Sequence, residues 1–410
     1  MPKVVRSYLF LQGVCSPFFS ELAKDLLSEG HRIAKINFNA GDSAYWNGHN
    51  AYACKDAIPS LAAFYDHMYA EAEATDIVLF GDRRPVHRPA IEIAQRNGLR
   101  IHVFEEGYFR PHWVTLERSG VNAHSPLPRD PAWYRSVGAS LKHKQEVSPF
   151  SSPFRTRAVH DLLYHLAGLA NPLLFPRYKT HAPHVAPVMY AGYIRRFALQ
   201  PFHIRQDQAA ISALIEARTP YYLLPLQLNS DAQIKDHSSF SGMIEVMDYV
   251  IQSFALHAPA ESRLVIKNHP LDMGLIPYAA MVRQFARTYG VEGRLLFLET
   301  GNLELLVMHA RGTVTVNSTV GGVALQFNCP VITLSDPIYN LVGLTFQGRL
   351  DHFWKQAEPP DQALFDCFKA IVTRATQING GFYCKQGIAL AVKNSLQSLT
   401  AEKSPLEELL

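Results

Sequence analysis

The chain has 410 residues, 48% of them hydrophobic, and a formal net charge of +3. That length fits two or three domains with full-size cores, and so small a charge, with no lysine- and arginine-rich run, excludes nucleic acid as a partner. The five cysteines, Cys15, Cys54, Cys329, Cys367 and Cys384, are odd in number and scattered, with no Cys-x-x-Cys pair, which excludes a disulfide framework or zinc site and fits a reduced, cytosolic setting.

Ser7 to Leu11 reads as the first strand. Lys3 and Arg6 ahead of Tyr8-Leu-Phe-Leu11 superficially resemble a signal peptide, but Gln12, Gly13, Ser16 and Pro17 break the apolar run too early, so a core strand is expected. A helix from Phe19 stops at Gly30, a strand covers Ile33 to Phe38, and a polar loop runs from Asn39 to Asn50. A helix over Ile58 to Glu73, a strand over Asp76 to Phe80, a loop from Gly81 to Pro89, a helix over Ala90 to Asn97 and a strand from Arg100 follow. This alternation predicts a parallel sheet. Three of its strands end in polar loops, carrying Gln12 and Ser16, then Asp82, Arg83 and His87, then Glu105 and Glu106, and ligands in such sheets lie beyond the carboxyl ends of the strands. Neighbouring residues in extended backbone point to opposite sides, so one of Glu105 and Glu106 is expected to face the substrate. Gly107 is expected to supply the freedom of a tight turn there.

From Pro131 to Arg205 the character changes: ten lysines and arginines stand against two acids, Glu146 and Asp161, among aromatics and prolines. Leu162 to Phe175 is apolar. Such a segment fits either an anionic membrane surface or helical packing between two domains. No stretch approaches the ~20 apolar residues of a membrane span, so a membrane role is expected to be peripheral.

The second half repeats the alternation. Strands are expected at Tyr221 to Leu226, from Arg263 into Lys267-Asn-His-Pro270, at Leu295 to Leu298, Gly312 to Val316 and Pro330 to Leu334. Helices fall at Phe240 to Leu256, Tyr278 to Tyr289, Leu303 to Ala310 and up to Phe327. Gln227, Asp231 and Gln233 lie in the loop after the first of these strands. A strand running into Asn317-Ser318-Thr319-Val-Gly321 and a helix start offers hydroxyls and unpaired N–H groups at the positive end of a helix, an anion site, with His269 as a further donor from the neighbouring strand end. No Gly-x-Gly-x-x-Gly or P-loop pattern occurs, and the lack of Asp-x-Asp disfavours a metal-held nucleotide diphosphate.

Together, Phe10-Leu-Gln-Gly13 with Ser16-Pro-Phe-Phe19, Gly81-Asp82-Arg83 with His87, Phe104-Glu-Glu-Gly-Tyr-Phe-Arg110, Pro225-Leu-Gln227 with Asp231 and Gln233, Lys267-Asn-His-Pro270 and Asn317-Ser-Thr-Val-Gly321 resemble the capsule polysaccharide biosynthesis and export family of the KpsS/LipB type, over roughly residues 7 to 335. The set also resembles bacterial sialyltransferases that use CMP-sugars. The resemblance implies an α/β, GT-B-like fold, two Rossmann-like domains facing each other across a cleft: 1–205 as acceptor and catalytic domain, with 131–205 as its basic, membrane-contacting segment, 206–375 as the CMP-sugar domain, and 376–410 as a helical tail.

It further implies a retaining β-Kdo transferase that uses CMP-Kdo, without a metal or other cofactor, to start an oligo-Kdo linker on a lysophosphatidylglycerol anchor. The enzyme would be cytoplasmic, peripheral on the inner membrane, and would work beside other capsule synthesis and export proteins. Glu106 would be the nucleophile with Glu105 as runner-up, and His269 would assist departure of CMP. His269, Pro270, Lys267, Asn317, Ser318, Thr319, Gly321, Gln227, Asp231 and Gln233 would bind the donor, and Gln12, Gly13, Asp82, Arg83, His87 and Arg110 would line the acceptor and sugar side. In related Kdo transferases the acid before the glycine is often Asp, so Glu106 reaches one methylene further, and as a base it would give inversion instead. Another nucleotide sugar, such as CMP-sialic acid, and a non-catalytic export adaptor are the other readings.

Overall fold

The computed structural model describes residues 4–48, 50–141, 147–179, 186–228 and 240–410. In chain order the first elements are β1 (Ser7–Phe10), α1 (Phe18–Ser28), β2 (Arg32–Asn37), α2 (Ala40–Ala44), β3 (Ala51–Ala53), α3 (Leu61–Glu71), β4 (Asp76–Phe80), α4 (His87–Arg96), β5 (Arg100–Glu106) and β6 (Trp113–Arg118). Four helices come next: α5 (Pro131–Ser140), α6 (Phe154–Gly168), α7 (Asn171–Leu174) and α8 (Ala186–Glu216). Then follow β7 (Tyr221–Pro225), α9 (Met243–His257), β8 (Arg263–Lys267), α10 (Tyr278–Thr288), β9 (Leu295–Leu298), α11 (Leu303–His309), β10 (Gly312–Thr315), α12 (Thr319–Gln326) and β11 (Val331–Thr333). The chain ends in α13 (Leu350–Gln356), α14 (Gln362–Thr376), β12 (Gln377–Asn379) and α15 (Lys385–Thr400).

Two Rossmann-like units result, each of the α/β class expected from the sequence. The first sheet has the order β12-β6-β5-β4-β1-β2-β3. Its five strands from β5 to β3 are parallel, β6 runs antiparallel to β5, and β12 antiparallel to β6. The polar loop expected at Asn39 to Asn50 instead holds α2, started by an Asn39 cap whose side chain accepts the Asp42 N–H at 2.9 Å. The second sheet, β11-β10-β7-β8-β9, is parallel throughout. Its middle strands read as continuous apolar runs, such as Tyr221-Tyr-Leu-Leu224, because helices cover both faces.

The division of the chain differs from the sequence reading in two places. The first unit comprises 1–128, 141–181 and 370–410, and the second comprises 129–140 and 182–369. Residues 376–410 are therefore no separate tail: β12 extends the first sheet, and Ile388, Ala391, Val392 and Leu399 of α15 share one core with Tyr8, Phe18 and Phe104. In that core the rings of Phe18 and Phe382 meet at 5.0 Å and those of Phe18 and Phe104 at 5.1 Å, edge-to-face contacts worth ~1 kcal/mol each beyond the burial itself. The segment 131–205 is split as well. The ring of Tyr134 on α5 packs at a tilt against that of Phe368, centroids 5.2 Å apart, and α8 belongs to the second unit, whereas α6 and α7 belong to the first. Among the described residues no helix is long and apolar enough to cross a membrane.

Candidate functional site

In the first unit the three polar loops leave adjacent strands, β1, β4 and β5, at their carboxyl ends. β5 does not stop at Phe104. It runs through Glu106 and turns back into β6, pairing Glu105 with Thr115 and Glu106 with Val114. Gly107 serves this hairpin through close approach: its φ is not positive, but a Cβ there would collide with the Trp113 carbonyl.

The alternation of strand side chains separates the two acids. Glu105 lies over Gly81, where a Cβ would come within 3.3 Å of its Oε2, and its Oε1 accepts the Glu106 N–H at 2.9 Å. Glu106 shares the side of Phe104 and meets two partners remote in sequence. Arg157 Nη1 on α6 lies 3.3 Å from Glu106 Oε1, and the Tyr383 hydroxyl donates to the same oxygen at 3.4 Å. The Arg157 guanidinium also stacks 4.9 Å over the Tyr383 ring. Glu106 keeps 26% of its side chain exposed, enough for a ligand to reach a carboxylate whose direction is fixed.

The other acceptor-side candidates divide. Gln12 is buried, and its amide donates to Asp42 at 3.2 Å and to the Tyr164 hydroxyl at 3.3 Å. Tyr164 in turn donates to Asp42 at 2.9 Å and accepts from Asn39 at 2.7 Å, so Gln12 braces α2 and α6 beneath the loop. The Gly13 carbonyl accepts from Arg84 at 2.9 Å, and a Cβ on Gly13 would strike Phe19. Asp82 is buried, accepts the Val121 N–H at 3.4 Å and lies 3.4 Å from His124; burial raises its carboxyl above the usual range. His87 is buried with Nδ1 at 2.6 Å from the Gly81 carbonyl, Arg83 is half-buried, and Arg110 is exposed. Lys35 was not singled out from the sequence. It is buried and donates to the carbonyls of Leu11 and Ile36 at 2.8 and 2.9 Å, and burial pushes its ammonium down to about 8 against the pull of Asp42. Cys15, in the same loop, has its thiol pushed up to about 12 by burial and then by Asp161, which leaves it a poor nucleophile.

In the second unit His269 follows β8 and Ser318 follows β10, with β7 between them. The sequence reading made these strand ends neighbours; instead β7 separates them, and they are about 10 Å apart. Gln227, at the end of β7, fills the gap: its amide donates to Asn317 Oδ1 at 3.0 Å and its carbonyl accepts the Asn317 N–H at 3.3 Å. Ser318 is the N-cap of α12, its hydroxyl accepting the Val320 N–H at 3.2 Å, and Thr319 opens the helix. A Cβ on Gly321 would collide with the Tyr339 hydroxyl, which donates to the Ser318 carbonyl at 2.5 Å.

His269 has a defined tautomer. Its Nδ1 accepts the Leu271 N–H at 3.0 Å, so the ring proton sits on Nε2 and the imidazole is a neutral donor. Asn268 orients the turn, its carbonyl oxygen accepting the His269 N–H at 2.8 Å while its amide donates to Glu299 at 2.9 Å. Arg196 of α8 clamps the same turn by donating to the carbonyls of Pro270 at 3.0 Å and Asp272 at 2.5 Å. Lys267 is buried and donates to the Asn268 carbonyl at 3.3 Å; burial, and then Arg196, lower its ammonium. It serves the turn. Asp231 and Gln233 lie outside the described residues. Arg157, Tyr383, Arg196 and Tyr339 carried no local motif, and only the fold brings them to these strand ends.

A family profile described as "Capsule polysaccharide biosynthesis protein" matches residues 75–383. The chain is 34% identical to the capsule polysaccharide export protein KpsS of Escherichia coli, over 92% of this chain and 97% of that one. It is 33% identical to the capsule polysaccharide modification protein LipB of Neisseria meningitidis serogroup B, over 92% and 91%. Among solved structures it is similar to the β-Kdo 2,7 transferase of Thermosulfurimonas dismutans KpsC, with a TM-score of 0.43, 12% identity and 89% of each chain covered. With identity of this level along nearly the whole chain, and with the motifs at the carboxyl ends of both sheets, the protein belongs to the capsule polysaccharide biosynthesis family.

Proposed function

We propose that this protein is a retaining β-Kdo glycosyltransferase that uses CMP-Kdo to begin the linker on a phosphatidylglycerol or lysophosphatidylglycerol anchor. The observation that carries the reading is Glu106, a partly exposed carboxylate at the carboxyl edge of a parallel sheet, held by Arg157 and Tyr383. A carboxylate fixed in that way can attack the anomeric carbon as the phosphate oxygen of CMP takes the bonding electrons. The acceptor hydroxyl then displaces Glu106 from the same face by which CMP left, and two inversions give retention. The neutral Nε2–H of His269 and the Ser318-capped start of α12 are the groups that would stabilise the departing phosphate by hydrogen bonding and helix polarity. Protein donors suffice for a monophosphate, so turnover is expected to persist in EDTA.

Arg110, exposed beside the β5 turn, would pair the Kdo carboxylate, as guanidinium groups do. In this reading the protein acts peripherally on the inner membrane and hands its product to other capsule synthesis and export proteins.

A mass-spectrometric assay with CMP-Kdo generated in situ and a fluorescent lysophosphatidylglycerol tests the proposal. The expected result is a mass gain of Kdo that Glu106→Ala and His269→Ala both abolish. A gain with CMP-sialic acid and none with CMP-Kdo would replace the donor. Thermal protection by CMP-Kdo without any transfer would replace the acceptor, and neither protection nor transfer would favour the adaptor.

A further inference from the structure

The helices α6 and α7 are amphipathic in the reverse sense. Their inward face is polar and is used up in contacts: Arg157 meets Glu106, His160 lies 2.8 Å from the Tyr45 hydroxyl, Tyr164 donates to Asp42, and Asn171 accepts the Ala40 N–H at 2.8 Å. Their outward face is apolar, with Val159 55%, Leu163 51%, Leu166 51%, Leu169 75% and Leu173 88% exposed. Residues three or four apart share one side of a helix, so Val159, Leu163 and Leu166 form one ridge along α6, and exposed Leu169, at its C-terminal end, and Leu173, on α7, follow it. A helix on a water-facing surface does the opposite, and monomeric soluble proteins rarely leave so continuous an apolar patch uncovered.

The charges on this segment choose what covers it. Arg155, Arg177 and Lys179 are exposed at the two ends of the ridge, and between Phe154 and Lys179 the single acid is Asp161, half-buried and 3.7 Å from His165. A second copy packed on the ridge about a two-fold axis would bring the same cations onto themselves. An anionic bilayer satisfies both features, since the leucines enter the boundary between headgroups and acyl chains while the cations remain at the phosphates.

We infer that the leucine ridge of α6 and α7 is the surface by which this protein docks on an anionic bilayer. Because Arg157 projects from the other side of α6, docking sets Glu106 about one helix diameter, ~10 Å, above the lipid headgroups. The docking surface is independent of the transfer chemistry; only the delivery of a lipid acceptor to Glu106 rests on the function proposed above.

The test is flotation of the full chain with phosphatidylglycerol-containing vesicles and with pure phosphatidylcholine vesicles at low salt, beside the variants Leu169→Glu/Leu173→Glu and Leu256→Glu. Leu256 is 72% exposed on α9 of the other unit and serves as control. Circular dichroism and a melting curve check that each variant folds. The expected result is flotation of the wild type and of Leu256→Glu with phosphatidylglycerol, at least a ~10-fold smaller bound fraction for the double variant, and recovery of soluble wild type as salt is raised. Failure of the wild type to float would overturn the inference, as would a double variant that floats like the wild type. So would a wild-type dimer that the double variant turns into a monomer with flotation unchanged, which would make the ridge a protein interface. Flotation as expected with no Kdo transfer to monomeric lysophosphatidylglycerol leaves the docking surface standing and removes the assigned chemistry.

Discussion

Arg157 Nη1 lies 3.3 Å from Glu106 Oε1 although 51 residues separate the two in the chain. A charge-assisted contact of this kind is worth about 1.5–3 kcal/mol, and it fixes the direction of the carboxylate that the proposed chemistry needs. Arg157→Ala is therefore expected to lower kcat about 10- to 100-fold with KM for the donor nearly unchanged, and Arg157→Lys to recover part of that loss. Tyr383→Phe, which removes one hydroxyl at 3.4 Å, is expected to cost less than about 10-fold. Steady-state kinetics on the three variants check this; a pure rise in KM for Arg157→Ala would make it a binding residue.

For His269 the pH profile is the informative readout. Its Nδ1 is occupied by the Leu271 N–H, so the ring's donor is the Nε2–H. kcat/KM is expected not to fall as pH rises from 6 to 8 on account of this residue, and His269→Ala to lose about 100-fold or more near pH 8. A basic limb present in the wild type and missing from His269→Gln would mean that the charged imidazole is the working form.

Gly107→Ala places a methyl group against the Trp113 carbonyl. The β5–β6 hairpin must open to relieve it, with an expected loss of roughly 2 kcal/mol, measured as a lower denaturation midpoint together with weakened turnover. A variant with unchanged stability would show that the hairpin shifts freely, and would weaken its role in aiming Glu106.

Lys35 gives a pH dependence of stability with a definite sign. Burial pushes the folded ammonium down to about 8, while a lysine of the unfolded chain titrates near ~10.4. Between these values the unfolded state binds more protons, so the Lys35 contribution to stability rises with pH from about 8 to about 10. Chemical denaturation of wild type and Lys35→Met across that window should show the wild type gaining on the variant as pH increases. Buried tyrosines and cysteines shift the other way but are shared by both proteins, so they cancel in the difference. A flat difference would mean that Lys35 sheds its proton no more easily folded than unfolded.

The alternating order of strands and helices, the three polar strand ends of the first sheet and the helix start at Ser318 were all legible in the sequence, because turn residues, caps and hydrophobic period act over a few neighbouring positions. Two local features were misread for a reason just as local. The segment Asn39 to Asn50 is polar enough to pass for a loop, yet Asn39 caps a short helix within it. Trp113–Arg118 does not read as a strand, because β6 has no hairpin signal of its own, although it pairs antiparallel with β5 as far as Glu105 and Glu106.

What the sequence by itself determined is the chemistry available at each strand end: a carboxylate before Gly107, an imidazole before Pro270, a hydroxyl at the head of a helix. Only the tertiary structure decided which of these are poised and which are consumed. It brings Arg157 and Tyr383 to Glu106 from segments 51 and 277 residues away, uses Gln12 and Lys267 as internal braces, and joins 370–410 to the first unit. It also turns the polar face of α6 inward and its leucines outward. Short-range rules specify elements, but which side of an element is buried depends on what the rest of the chain places against it.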